Sequence, residues 1–208
     1  TAAEAHTCGE IVTVLTGTSD DYSDVALAWS ALVGIMALLA LALVPDFYLG
    51  IYDRLTGAWA QTWSPARLFG VAALVVTLKF AGTWLLLLWP PLRLWVTPGP
   101  IKHGRVHARA LMAFRIGAER RTTGRTAVMI YLSLAEQRAE IIADKTIAAK
   151  VTAEVWGAAL AAMLVEIRAG RMADGLVAAV EAVGRVLAEH FPRADDDVNE
   201  LPDRLIEV

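Results

Sequence analysis

Two long apolar runs constrain this chain more than any other feature of it. From Val25 to Val44 there are 20 residues without a charge, and the run from about Leu68 to Trp89 holds one, Lys79. Twenty helical residues at about 1.5 Å each reach about 30 Å, the thickness of a bilayer's hydrocarbon core. The runs therefore predict a transmembrane hairpin over residues 21–92, with spans at about 25–45 and 68–89. Pro45 and Asp46 end the first helix, and Pro90 with Pro91 ends the second. The stretch between them reads as a turn whose Tyr48, Tyr52, Trp59 and Trp63 suit the membrane interface.

Composition agrees with that reading. Hydrophobic residues make up 56% of the chain and mean hydropathy is +0.48, above the roughly 45–50% apolar content of soluble domains. No Lys or Arg precedes Arg54, and 15 of the 19 lie from Lys102 onward. An even number of spans puts residues 1–20 and 99–208 on one side. Near the membrane ends that side has Arg93, Lys102, Arg105 and Arg109, against Arg54 and Arg67 on the turn. The positive-inside bias thus predicts an inner, cytoplasmic-type membrane with the domain and both termini in the cytoplasm. The lone cysteine, Cys8, excludes an internal disulfide and fits a reducing compartment. Residues 1–6 have no signal-peptide character, and without an initiator Met the sequence reads as trimmed.

Outside the hairpin the pattern is mixed. Residues 9–16, β-branched and alternating, read as a strand. Ser19 or Asp20 is expected to cap the first span helix. Residues 99–121 combine Lys102, Arg105, Arg109 and Arg115 with Val106, Ala110 and Phe114 at helical spacing. Such a helix rests on anionic headgroups or packs on a sheet with its charges solvated. Residues 125–133 and 138–143 form a predicted hairpin about a turn at 134–137, and helices follow at 153–169 and 172–190. Trp156 and Leu160 are expected in the core, and the acidic tail 195–208 is expected to be partly disordered or an extended arm. The fold class is α/β (α+β): a small sheet covered by helices and interrupted by the membrane hairpin after its first strand, which should pair with 126–132.

Few residues announce chemistry. There is no phosphate loop, no HExxH, CxxC or GxSxG. His103 and His107 stand at i, i+4, a spacing that lets two imidazoles share a metal, but no Asp, Glu or Cys on their helix completes a site. Lys79 is an intramembrane charge, read either as a functional residue or as one that snorkels or pairs. The basic residues lack the aromatic interleaving of a nucleic-acid surface, so nucleic acid is not an expected partner.

The run Arg125-Thr-Ala-Val-Met-Ile-Tyr-Leu-Ser-Leu-Ala-Glu-Gln-Arg-Ala-Glu-Ile-Ile-Ala-Asp144, with Gly170-Arg-Met-Ala-Asp-Gly-Leu-Val177 opening the last helix, resembles the TPM domain, shared with thylakoid-lumen proteins of photosystem II repair. Gly9-Glu-Ile-Val-Thr-Val supplies its first strand, and Asn199-Glu-Leu-Pro-Asp-Arg-Leu-Ile-Glu is similar to the ending of bacterial membrane-bound members. The resemblance covers about 9–17 and 99–208, with the remainder of the domain at 93–194. It implies a membrane-anchored interaction or assembly module that docks on a larger membrane protein complex, with the lipid bilayer as a second partner and no small-molecule substrate. It also implies an alternative, a metal-assisted acid phosphatase with calcium or magnesium held by Glu136, Asp144 and Asp174. Asp174 also reads as an acid at a helix N-terminus, and Asp144 as a turn residue.

Overall fold

The computed structural model describes residues 7–57, 63–117, 126–193 and 206–207. The chain divides into two compact units, Thr1–Asp20 with Gly99–Val208, and Asp21–Pro98.

The first unit is built on a mixed sheet of order β3-β2-β1-β4. Its strands are β1 (Glu10–Thr16), β2 (Ala127–Ser133), β3 (Arg138–Ala143) and the two-residue β4 (Ile206–Glu207). β1 and β2 run parallel in the register Glu10↔Ala127 to Thr16↔Ser133, the pairing expected from the two apolar strands. β2 and β3 form the predicted antiparallel hairpin, and β4 adds to β1 at Val14 and Leu15. Of the acidic tail, this strand is what the structure describes. Every position of β2 is buried, which explains its continuous apolar run: a strand covered on both faces has no solvated side to alternate with.

Pleat alternation divides the core in two. Ile11, Val128, Ile130 and Leu132 face α7 (Ala153–Arg168) and α8 (Met172–His190), meeting Met163, Val183 and Leu187. Val12, Val14, Met129 and Tyr131 face α5 (Gly99–Gly117), meeting Val106, Ala110 and Phe114. The three predicted helices thus cover both faces of the sheet. Between the two open readings of α5, this apolar row packs on the sheet. Trp156 and Leu160 are partly buried at the margin of the first core rather than within it, because the α8 side of α7 is carried by Ala159 and Met163. A short helix, α6 (Lys145–Ala148), follows β3 where a plain turn is expected.

The second unit is helical: α1 (Ser23–Leu43), α2 (Pro45–Thr56), α3 (Pro65–Leu87) and α4 (Pro90–Val96). α1 and α3 pack together where α1 presents small residues, Ala26, Ser30 and Gly34, all buried. A Cβ on Gly34 would lie 3.4 Å from Val76 Cγ1, so the two helices meet at this point in van der Waals contact. Three expectations are corrected. Pro45 does not lead into a turn but opens α2, and Pro90 opens α4, because proline is well suited to the first helical position. The boundary expected at 92/93 falls at 98/99, since Trp29 Nε1 of α1 donates to Val96 O at 3.2 Å and holds α4 with the helical unit. The α1 N-cap is Tyr22, in the left-handed region at φ 53° with no side-chain cap bond; Ser19 and Asp20 are engaged elsewhere, as follows. Trp59, Arg120, Arg121 and the 122–124 turn lie outside the described residues.

Candidate functional site

Parallel pairing sets the C-terminal ends of β1 and β2 side by side, the end of an α/β sheet where ligands commonly bind. The segment after β1 meets the turn after β2 through Leu134 N donating to Thr16 O at 3.1 Å and Ala135 N to Gly17 O at 3.0 Å. The turn closes with Gln137 at φ 52° and folds Glu136 back into the gap. Glu136, 7% exposed, accepts from Ser19 N at 2.9 Å and from Ser133 Oγ; Thr18 Oγ1 lies 3.1 Å from it but is closer to Asp20 O, at 2.8 Å, and shares its one proton between the two. Ser19 Oγ donates to Ser133 Oγ at 3.0 Å and lies 3.2 Å from Tyr131 Oη. A hydroxyl has one proton to give. The directions are therefore fixed: Tyr131 donates to Ser19, Ser19 to Ser133, and Ser133 to Glu136. Beside this relay Arg105 Nη1 donates to Asp20 Oδ2 at 2.5 Å, tying α5 to the same segment.

The other two carboxylates expected to hold an ion lie elsewhere. Asp144 follows β3; its backbone N donates to Ala127 O at 3.0 Å and its Oδ2 accepts from Ala127 N at 3.3 Å. It closes the end of β2 opposite to Glu136, and seven residues at about 3.3 Å separate the two by roughly 20 Å. Asp174 sits in the first turn of α8, its side chain 65% exposed and 3.7 Å from Arg171 Nε. The structure therefore does not bring Glu136, Asp144 and Asp174 together. Among the described residues no group of three or more His, Cys, Asp or Glu is placed to hold a metal ion.

His103 and His107 do have an acidic neighbour, Glu140 of β3, absent from the helix pattern. Their Nδ1 atoms lie 3.4 and 3.3 Å from its two carboxylate oxygens, so a protonated imidazole at either position pins α5 to β3. The alternation of Arg138 and Glu140 along β3 was the available signal for it. Cys8 is a partly buried free thiol packed on the first core, its Sγ 3.7 Å from Phe191 O. A cavity of about 240 Å³ between α5 and the sheet is lined by Val14, Met112, Met129, Tyr131 and Ile206, with Arg109 at its margin; it is smaller than common ligand pockets.

Two surface groups are shifted. Glu154 is held below the ordinary glutamate range by its hydrogen bond from Thr152 and then by its own backbone N–H. Arg171 is raised further by its hydrogen bond and charge attraction to Glu166, then by Asp174. Both stabilise helix ends and neither adjoins the relay.

No family model and no curated protein matches the chain. Among solved structures it is similar to the NMR structure of BA42 protein from the psychrophilic bacteria Bizionia argentinensis, at 18% identity and a TM-score of 0.54, over 100% of this chain and 86% of that one. At that identity the likeness concerns the fold alone.

Proposed function

We propose that this chain is a membrane-anchored, TPM-like interaction or assembly module, held by α1 and α3 and docking through its α/β domain on a larger membrane protein complex. The carrying observation is the surface of the two long helices. α1 and α3 have mean hydropathies of 2.4 and 1.8 in their most apolar windows, yet only 28% and 17% of those windows is buried. A core helix of a soluble protein would be covered; here Leu32, Ile35, Met36 and Leu39 of α1 and Phe69, Leu78 and Leu85 of α3 all stand exposed. Contiguous apolar surface of this size is unfavourable in water and matched by lipid.

The sealed state of the polar site supports a docking role over catalysis. Each relay hydroxyl is already engaged, and Glu136 accepts from Ser19 N and Ser133 Oγ.

Alkaline carbonate extraction tests the anchor: the protein stays in the membrane pellet if the reading holds, and release into the supernatant ends it. Detergent solubilisation and native electrophoresis test docking, with migration as a stoichiometric complex expected and recovery of the chain alone counting against it. The proposed sidedness is read by cysteine labelling in a Cys8→Ala background. Ser64→Cys should react with an impermeant maleimide in intact cells and Ala135→Cys should not; both sites are exposed, whereas Ser133 is fully buried and unsuited as a label. The reverse pattern places the domain outside the cytoplasm.

A further inference from the structure

The two apolar runs of the helical unit carry one charge between them, Lys79. Lys79 is exposed on α3, on the turn that holds Val76 and Phe80, the two residues nearest to Gly34 of α1. The runs 25–44 and 68–89 contain no Asp or Glu. The acids flanking α1 at the depth of Gly34 are Asp24 and Asp46, ten and twelve residues away, or about 15 and 18 Å along a helix. Among the described residues no carboxylate pairs with Lys79.

Snorkelling does not relieve it. α3 ends at Leu87, eight residues on, and Arg67 lies twelve back, so polar surroundings begin about 12 and 18 Å away. A lysine stem extends roughly 6 Å. Helical Cβ bonds also tilt toward the helix N-terminus, which here is the farther end. The ammonium therefore stays in the apolar layer, where an unanswered charge is costly and pairs with an opposite one when it can.

Resting on the bilayer reading above, we infer that the Lys79 turn of α3 is the contact for a membrane-spanning helix of another polypeptide that carries an aspartate or glutamate at the same depth. A second copy of this chain does not serve, since its spans contain no acid and a symmetric contact here would bring two ammonium groups together. The adjacent turn admits a helix closely: Gly82 has nothing within 4 Å of where a Cβ would stand, and small residues at such positions let helix backbones meet.

The test places a photo-crosslinking amino acid at Leu78 in the full chain, in native membranes, with carbonate extraction run in parallel. The inference expects an adduct to another polypeptide whose crosslinked peptide is an apolar span with a carboxylate within one turn. Its yield should fall about tenfold or more in Lys79→Leu, the loss of at least one decade in association that an unpaired charge implies, and persist in Lys79→Arg. Exchanging the charges, Lys79→Glu with lysine at the partner's acid, should restore it. Adducts to lipid only, to a second copy or to a span lacking Asp and Glu overturn the inference, as does a yield indifferent to Lys79→Leu. If the wild-type chain is itself released by carbonate, the bilayer reading fails; retention without a protein adduct refutes the inference alone.

Discussion

Replacing Glu136 separates a structural carboxylate from a catalytic one. In Glu136→Ala, Ser19 N–H and the fully buried Ser133 hydroxyl lose their acceptor, while Thr18 keeps Asp20 O at 2.8 Å. A hydrogen bond to a charged group contributes about 1.5–3 kcal/mol, and a buried donor left unmet costs about 1–3 kcal/mol. Ser19 is only part-buried and regains water, and losing a buried charge returns some desolvation energy, so the net cost is about 3 kcal/mol. Glu136→Gln is milder. Its amide oxygen still accepts from Ser19 N, while its NH₂ turns Ser133 into an acceptor and reverses the relay, leaving Tyr131 hydroxyl without a taker, for about 1 kcal/mol. Amide hydrogen exchange of Val128–Leu132 in detergent reads both. About 3 kcal/mol corresponds to roughly 150-fold faster exchange in Glu136→Ala and 1 kcal/mol to roughly fivefold in Glu136→Gln. Unchanged or slower exchange in Glu136→Ala would refute the clamp, because removing a strained functional carboxylate commonly stabilises a fold.

Gly175→Ala sets two effects against each other. Helix propensity favours Ala by about 1 kcal/mol, but the new Cβ would lie 2.9 Å from Met163 O and 2.8 Å from Ile167 Cγ1, and such overpacking costs about 1–3 kcal/mol; a lowered melting temperature is expected because the backbone oxygen cannot move aside. Trp156→Ala should cost about 2 kcal/mol, below the 3–5 typical of an enclosed aromatic, since Trp156 lies at the core's edge; urea unfolding checks it. Glu154 should titrate below a free glutamate in carboxyl chemical-shift titrations, and Thr152→Val should move it up toward the ordinary value. As a depressed acid its stabilising effect is present above the unfolded pKa and lost as pH falls through the folded one.

How much of this was legible in the sequence depended on whether one residue's neighbours decide its role. The strands were readable because Ile11, Val12 and Val14 and the run 127–132 have no other stable use for so many β-branched and apolar side chains. α7 and α8 were readable from apolar positions repeating at helical spacing. Proline misled, since Pro45 and Pro90 halt a preceding helix and open a following one with the same ring constraint. Ser19 was an apt cap by type, yet the register Thr16↔Ser133 brings Glu136 and Tyr131 to it from more than 110 residues away. Glu140 reached the histidine pair the same way, through β2–β3 pairing and the packing of α5, which no local window contains.

The β1–β2 register also sets a clock on biogenesis. Glu10 pairs with Ala127, 117 positions later, and at about 5–20 residues per second the ribosome delivers the second strand roughly 6–23 s after the first. During that interval β1 has no partner, and both apolar runs emerge. A chain that threaded only one of them through a bilayer would strand its two central strands on opposite sides, out of each other's reach for good. On the proposed bilayer reading, completion of the sheet would report that both runs had crossed.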